Sequence, residues 1–174
     1  YDVSEFEKTD PAILKYRPAG EFETGLNRVK RLEATANGHV LVAGDQKVKF
    51  FSASGTVETE IALERPTHCI HVAGEDELFV GLSDRIEIYD HAGGKKSQGP
   101  RLGKRTYLTA IATQGDSIFL ADAGNREVIV CDRSTGEVRF RFGKKDAEKN
   151  NPGFAVPSPY FDLAIAPDGR LRVA

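Results

Sequence analysis

The stretch Asp116-Ser-Ile-Phe-Leu-Ala-Asp-Ala-Gly-Asn-Arg-Glu-Val-Ile-Val-Cys-Asp-Arg-Ser-Thr-Gly136 shows the pattern on which the whole chain is built. An apolar run from Ile118 to Ala121 is followed by a polar turn from Asp122 to Arg126, a second apolar run from Val128 to Cys131, and a turn closed by Gly136. Short, β-branched runs bounded by Gly, Asp, Asn and Ser are typical of strands and turns. The stretch therefore predicts two consecutive antiparallel strands.

The same cassette occurs four times along the chain, beginning at Gly38, Asp76, Asp116 and Asp168. Each copy has an apolar strand before it, and the first three are followed by a third strand and a glycine turn. Four short strands in a repeat of about 40 residues predict the blades of a β-propeller. A single small sheet has two apolar faces, and radial packing of blades buries both of them.

The predicted fold class is therefore all-β, a β-propeller of four-stranded antiparallel blades, with three full blades and a half blade at each end. Fourth strands are expected at Val57 to Ile61 and Val138 to Phe142, whereas Lys95 to Pro100 is expected to be a loop. The predicted divisions are an N-terminal extension (1–12), a closing hairpin (13–25), three blades (26–66, 67–105 and 106–159) and a partial blade (160–174).

The two half blades are complementary. Residues 13–23 match the third and fourth strands of a blade, and residues 160–174 match the first and second, so in a closed ring they would share one blade. Closure on four blades is one alternative. The other is a larger ring that continues past Ala174, and it is favoured because a blade that stops at its second strand leaves an unpaired edge.

The composition and charge limit the classes of function that we expect. Of 174 residues, 40% are hydrophobic and 29% charged, and the formal net charge is −2, so no nucleic-acid partner is expected. No apolar run approaches the roughly 18 residues of a membrane span. Cys69 and Cys131 lack metal-site spacing and are expected to be small core residues.

Two stretches resemble NHL repeats: Leu-Ala-Asp-Ala-Gly-Asn-Arg-Glu-Val at 120–128 and Ile-Ala-Pro-Asp-Gly-Arg-Leu at 165–171. The resemblance is weak in the turns Gly44 to Lys47 and Leu82 to Arg85, which are shorter and lack the Asn. It implies a six-bladed ring, a bacterial protein that is periplasmic or secreted, and a role in binding proteins or other ligands. A minority of related propellers are enzymes, namely peptidyl-hydroxyglycine lyases and lactonase-like calcium propellers, and no catalytic or metal-binding residue is transferred from them.

In a propeller, the turns between second and third strands emerge on the same face as the connections between blades, and loops on a rigid scaffold often carry function. The connection 143–159 is the longest and breaks the repeat, and such a loop is usually either functional or disordered. Its lysines, Lys144, Lys145 and Lys149, would make it locally positive, and Phe154 to Val156 is expected to pack down. The alternative is a solvated loop that has no function.

The turn of the best cassette contributes Asp122, Asn125 and Arg126 as candidate ligand-binding residues. Asp and Asn in such a turn are also expected to cap their own backbone. Arg126 has a guanidinium group that suits a carboxylate or phosphate, or an Asp of a neighbouring blade.

His68 and Asp162 lie near the starts of two first strands and are candidates for the channel mouth. Each has a structural alternative, as a core or channel-lining histidine and as a buried carboxylate that holds backbone amides. His68 and His71 are three positions apart on a strand, so their rings are expected on opposite faces unless a bulge intervenes.

These residues favour a non-enzymatic propeller that binds a protein or small-molecule ligand, or acts as a scaffold, through the face carrying the 143–159 loop. No Ser/His/Asp set or phosphate-binding glycine loop is visible. The alternative is a metal-assisted lyase or lactonase with Asp162, Asn125 and His68 as provisional ligands of a Ca or Zn ion.

Overall fold

The structure is a computed structural model and describes residues 4, 9–16, 18, 20–74, 77–154 and 161–174. Its strands form three four-stranded antiparallel sheets and one two-stranded sheet, each a simple meander in chain order. In the described part of the chain, no helix has the length and apolar character that a membrane crossing requires.

Each sheet is formed by consecutive strands. The first comprises β1 (Val29–Ala34), β2 (Val40–Gly44), β3 (Lys47–Phe51) and β4 (Val57–Ala62). The second comprises β5 (Thr67–Ala73), β6 (Glu77–Leu82), β7 (Ile86–Tyr89) and β8 (Lys95–Gln98). The third comprises β9 (Leu108–Gln114), β10 (Ser117–Asp122), β11 (Glu127–Asp132) and β12 (Val138–Phe142). The partial sheet comprises β13 (Leu163–Ile165) and β14 (Leu171–Val173).

The Asp116–Gly136 cassette forms the central hairpin of the third sheet, as predicted. Strands β10 and β11 pair without interruption from Ser117 opposite Asp132 to Asp122 opposite Glu127. Val128, Ile129 and Val130 are all fully or almost fully buried. Both faces of this hairpin are therefore covered, as expected of a sheet between two neighbours.

The core lies between the sheets. One apolar cluster joins the first and second sheets and includes Leu41, Ile70 and Leu82. A second joins the second and third sheets and includes Cys69, Phe79 and Ile118. A third joins the third sheet to the partial sheet through Phe161 and Leu163, among others. The hydrophobic effect thus acts mainly across sheet-to-sheet contacts.

The first strand of each sheet is an inner strand, and the inner strands lie side by side in the order β1, β5, β9, β13. Because the sheets are antiparallel meanders, one edge of the arc carries the starts of the inner strands, the second-to-third turns and the connections 63–66, 99–107 and 143–154. We call this edge the loop face. The opposite edge, which carries the first-to-second and third-to-fourth turns, is the hairpin face.

One local prediction was wrong. Lys95–Gln98 forms β8 rather than a loop, although all four of its residues are exposed. Its stability comes from backbone pairing with β7 after a turn at Gly93, which apolar patterning cannot reveal. For the predicted hairpin at 13–25, the structure shows a 3₁₀ turn at Pro11–Ile13 and no strand among the described residues from 14 to 28. This segment contacts the first sheet, where the Phe22 and Phe51 rings lie 4.8 Å apart. The closing hairpin itself stays a prediction.

Parts of other predictions lie outside the described residues. These are 1–3 and 5–8 of the N-terminal extension, 17 and 19 of the hairpin, and 155–160 at the end of the long connection.

Both cysteines are free and buried in the same apolar cluster. Burial raises the pKa of Cys69 to about 12 and that of Cys131 to about 11. Neither is a thiolate near neutral pH, so the interpretation as small core residues is confirmed.

Glu87 is a fully buried carboxylate in the second sheet. It accepts hydrogen bonds from Lys95 Nζ (2.7 Å), Tyr89 Oη (2.7 Å) and Arg85 (3.0 Å). Burial alone would raise the pKa of Glu87, but these bonds outweigh it and leave the pKa below its ordinary value. The buried charge is therefore compensated.

We expect Gly81→Ala to destabilise the protein by about 1–3 kcal/mol, because a Cβ atom at this position would lie 2.2 Å from Cys69 Sγ in the cluster between two sheets. Gly20→Ala, where a Cβ atom would meet nothing within 4 Å, is the matched control and should leave stability unchanged. Urea denaturation of both variants measures the difference. Equal stability of the two variants would contradict the packing described here.

We expect Glu87→Gln to lower stability at neutral pH by about 1–3 kcal/mol, because it removes the buried negative charge that Arg85 and Lys95 bind. The pKa of Glu87 lies below its ordinary 4.5, so its contribution is present above that pH and lost as the pH falls through the folded-state pKa. The variant should therefore lose less stability on acidification than the wild type. Thermal melts at pH values above and below 4.5 measure how stability changes with pH. The control Glu137→Gln, on an exposed turn, should keep the pH dependence of the wild type.

Candidate functional site

The inner strands line one side of the arc, which we call the channel, and this channel opens on the loop face. At this mouth lies a cavity of about 330 Å³ whose lining includes Lys30, Arg31, His68, Tyr107, Phe161 and Asp162. These residues come from, or directly precede, four successive inner strands. Each of the four sheets therefore contributes one or two of these residues to the channel mouth.

Arg31 and Asp162 form an ion pair (3.1 Å). It joins the first inner strand, β1, to the residue that directly precedes the last inner strand, β13. Asp162 also accepts a hydrogen bond from the Leu163 backbone N–H (2.9 Å). Its side chain is half exposed, so the carboxylate belongs to the channel surface although a cation already neutralises it. The structure thus places Asp162 at the mouth, with Arg31 as a partner that the sequence did not indicate.

His68 also lines the mouth. Its Nδ1 atom lies 3.2 Å from the Tyr107 hydroxyl, and the two ring centroids lie 4.7 Å apart with the ring planes tilted by 44°. Burial, with a smaller effect from Lys30, lowers the pKa of His68. The ring is therefore neutral near neutral pH.

The register of β5 shifts between Thr67 and Cys69, so a bulge occurs at His68. A bulge changes the alternation of side chains along a strand. His68 and His71 both contact β9 or its start, through Tyr107 and Thr113 respectively. A bulge thus intervenes between His68 and His71, and simple alternation, which would place their rings on opposite faces, does not apply to this strand.

Asp122 is completely buried and holds the second-to-third turn of the third sheet. Its carboxylate accepts hydrogen bonds from the Tyr107 N–H (3.0 Å), the Asn125 N–H (3.1 Å) and the Asn125 side-chain amide (2.7 Å). Asn125 also donates to the Lys104 carbonyl (3.2 Å). Asp122 and Asn125 therefore perform the turn-forming role and tie the turn to the connection 99–107.

Arg126 is exposed at the end of this turn, with a left-handed backbone (φ 55°). The turn packs tightly on the neighbouring connection, because a Cβ atom at Gly124 would lie 1.7 Å from the Arg105 carbonyl oxygen. Arg105 is also exposed and left-handed (φ 63°). Two arginines on adjacent, closely packed segments thus project from the loop face, and Lys104 precedes the second of them.

Part of the long connection folds back on the third sheet. Phe154 donates its N–H to the Gly143 carbonyl (2.8 Å), and its ring packs against Phe142 and Phe161. Lys144 lies 3.1 Å from the buried carboxylate of Glu127, which also binds Arg141 (2.7 Å). Lys144 therefore compensates a buried charge.

Most carboxylates of the loop face are already occupied by cations or backbone amides. Glu64 pairs with Arg85, and Asp84 pairs with Arg65 and Arg101. Within the described residues, by contrast, no ion-pair partner is found for a set of exposed cations that we call the cationic rim: Arg28, Lys30, Lys104, Arg105, Arg126 and Lys145. The loop face therefore carries excess positive charge on a chain whose net charge is −2.

The provisional metal ligands do not come together. Asp162 and His68 share the mouth cavity, but Asn125 is bonded within its own turn and does not line that cavity. Across the described ranges, no group of three or more His, Cys, Asp or Glu side chains could hold a metal ion. Arg31 and Lys30 beside Asp162 and His68 also make this cavity unfavourable for a cation.

Comparisons with known proteins support the architecture. No protein-family model matches the chain, and no curated protein matches its sequence. Among solved structures, hydrazine synthase of Kuenenia stuttgartiensis superposes with a TM-score of 0.66 at 16% identity, over 90% of this chain and 44% of that one. Streptogramin B lyase gives 0.63 at 16% identity, over 89% and 57% respectively. The WD40 β-propeller domain of Doa1 gives 0.61 at 12%, over 80% and 44%.

The sheets are β-propeller blades. At these identities the likeness shows the fold alone, and the chain spans about half the length of the solved proteins it matches. The inner strands are therefore the channel-lining strands of a propeller, and the loop face is one of its two ends.

The sequence did not reveal Arg31, Lys104 and Arg105 as site residues. Arg31 lies within an inner strand, where the repeat pattern gives no reason to single it out. Lys104 and Arg105 became relevant only because the turn at Gly124 packs on their connection. Two adjacent basic residues in a connection between blades were the only available signal.

We expect Asp122→Ala to destabilise the protein by about 1–3 kcal/mol, since it leaves the buried N–H of Tyr107 and the Asn125 groups without their acceptor. Arg126→Ala, four residues along the same turn but exposed, is the matched control and should change stability by no more than about 0.5 kcal/mol. Equilibrium urea unfolding distinguishes the two roles. A larger loss for Arg126→Ala would show that the arginine, not the aspartate, holds the turn.

Proposed function

We propose that this chain belongs to a binding propeller whose loop face recognises an acidic segment of a partner protein without chemistry at that face. The observation that carries the proposal is the cationic rim: Lys30 lines the channel mouth, the other five exposed side chains lie on the same face, and none of the six has an ion-pair partner among the described residues. Clustered uncompensated charge attracts oppositely charged partners and accelerates their association.

The charge is distributed unevenly between the two ends of the propeller. On the hairpin face, the exposed carboxylates of Asp116 and Glu137 have no ion-pair partner within the described ranges, and Asp168 pairs with Arg170 and Arg172. Unpaired cations thus lie on the loop face, and unpaired carboxylates lie on the hairpin face. This difference supports binding through the loop face.

The arrangement of the cations favours a protein segment over a small anion. They come from three separate connections or turns and from the start of β1, so they spread over the face rather than converge on one point. Arginine presents several donors to carboxylates and is enriched, with tyrosine, at protein interfaces. Tyr107 at the mouth adds an aromatic surface at the centre of the rim.

The proposal also covers the number of blades in the complete ring and the location of the protein. The resemblance of residues 120–128 and 165–171 to NHL repeats supports a six-bladed ring and a periplasmic or secreted protein. The solved propellers that the chain matches are about twice its length, which accords with further blades.

A metal-assisted lyase or lactonase is the second candidate, and its support is the likeness in fold to streptogramin B lyase. The separation of Asn125 from the mouth and the ion pair of Asp162 with Arg31 weigh against the ligand set predicted for it. We therefore rank binding above catalysis at the loop face.

We expect a fluorescein-labelled oligoglutamate peptide to bind the protein at low ionic strength and to dissociate as salt is added. The double charge reversal Arg105→Glu, Arg126→Glu should weaken binding about tenfold or more, a loss of about 1.4 kcal/mol. Fluorescence anisotropy measures both effects.

The matched control is Arg170→Glu, Arg172→Glu, which reverses two exposed arginines on the hairpin face. This variant should bind the peptide with an affinity close to that of the wild type, because the reversed charges lie at the opposite end. Equal weakening by both variants would reject the loop face as the site. Tighter binding of a single-stranded oligonucleotide or of citrate than of the peptide would reject the class of partner.

A further inference from the structure

Three side chains from three successive inner strands form a hydrogen-bonded chain towards the hairpin end of the channel. Glu33 Oε1 on β1 lies 3.1 Å from His71 Nδ1 on β5. His71 Nε2 lies 3.0 Å from the Thr113 hydroxyl on β9. The three residues are far apart in sequence, so only the packing of the blades reveals this chain.

The order of the atoms is that of a nucleophile, a general base and an orienting carboxylate. A carboxylate at Nδ1 favours the imidazole tautomer that carries its proton there, which leaves the Nε2 lone pair free to accept the hydroxyl proton. Glu33 Oε1 also accepts the Val72 backbone N–H (3.0 Å), so the carboxylate is itself held in place. Each member is thus oriented by the next.

We propose that Thr113 is a nucleophile that accepts an acyl group from a small, activated ester, with His71 as general base and Glu33 as its positioning residue. The Thr113 Oγ1 atom forms a bond to the ester carbonyl carbon, and the alkoxide or phenolate of the ester leaves. The hydroxyl proton passes to His71 Nε2 and then to the leaving group. Water can later release the acyl group as a carboxylic acid and restore the hydroxyl.

The surroundings suit an acyl substrate. His71 and Thr113 line a cavity of about 330 Å³ whose other walls include Leu32, Ile111, Leu163 and Ile165. Glu33 and His71 each keep about a quarter of their side-chain surface exposed, so a ligand can reach the chain of bonds. Arg31 also lines the cavity, so its surface combines apolar walls with charged groups, and a combination of apolar walls and a few oriented polar groups is usual for a small-molecule site.

The partial sheet supplies a candidate donor for the developing oxyanion. Asp162 and Ala174 exchange both backbone hydrogen bonds, and Ala166 donates to the Arg170 carbonyl. In an antiparallel ladder, residues alternate between bonding the partner strand and pointing away from it. The N–H groups of Leu163 and Ile165 therefore point away from β14. That of Leu163 already donates to Asp162, so the Ile165 N–H, on a residue that lines the cavity, is the candidate donor. Backbone N–H groups so placed stabilise tetrahedral intermediates.

A purely structural role, in which the chain of bonds only ties three blades together, makes a different prediction. Such a tie would affect stability but would not make Thr113 reactive. The inference also stands apart from the proposed function, since it concerns the other end of the channel and uses no residue of the cationic rim. Failure of either proposal leaves the other intact.

The test is acetylation of the purified protein by p-nitrophenyl acetate, followed as p-nitrophenolate release and located by peptide mass spectrometry. We expect an acetyl group on Thr113 and a burst that approaches one equivalent per chain. His71→Gln should slow the burst about 100-fold or more, since a positioned base contributes about that much. Glu33→Gln should slow it less, and Thr113→Ser should retain it.

Thr113→Val has nearly the same shape as the wild type and should abolish the burst. Thr109→Val on the same strand, where the hydroxyl donates instead to the Phe161 carbonyl, is the matched control for a lost threonine hydroxyl and should keep it. Circular dichroism verifies that each variant folds. If a variant does not fold, the test rests on the site of acetylation in the wild-type peptide map and on the burst of Thr113→Ser. Acetylation confined to lysines, or a rate on Thr113 that His71→Gln does not change, overturns the proposal.

Discussion

The burial of both apolar faces of each sheet is the constraint on which the other features depend. Leu41 and Ile70 meet across one interface, Phe79 and Ile118 across the next, and Phe161 and Leu163 close the third against the partial sheet. Because this packing fixes neighbouring blades face to face, it brings their inner strands together around a channel. Side chains that are more than 30 residues apart, such as Glu33, His71 and Thr113, then become neighbours.

Buried carboxylates determine which surface charges are free to act. Glu87 binds Arg85 and Lys95, and Glu127 binds Arg141 and Lys144, so these cations compensate interior charge. Their neighbours in the chain, such as Arg126 and Lys145, have no such partner among the described residues. The positive charge of the loop face is therefore what is left after the interior has been neutralised, and a simple count of lysines and arginines would not locate it.

The repeat pattern was sufficient to predict the blades, because apolar runs and glycine turns directly express how a strand is buried and how it ends. It failed for Lys95–Gln98, which is held by backbone pairing with β7 and by the ion pair of Lys95 with Glu87. The candidate site was harder to predict. Asp162 and His68 were placed at the mouth, but Arg31 and Arg105 depend on contacts between blades, and local sequence does not encode which residues of different blades face each other.

The unequal charge of the two ends has a consequence before any contact is made. Among the described residues, six unpaired cations at one end and unpaired carboxylates at the other contribute to an electric dipole roughly parallel to the channel. In the field of a highly charged neighbour, a dipole experiences a torque that turns it as it diffuses. The propeller would therefore approach a negative surface with its channel mouth foremost, and the fraction of productive collisions would rise above that of random orientation.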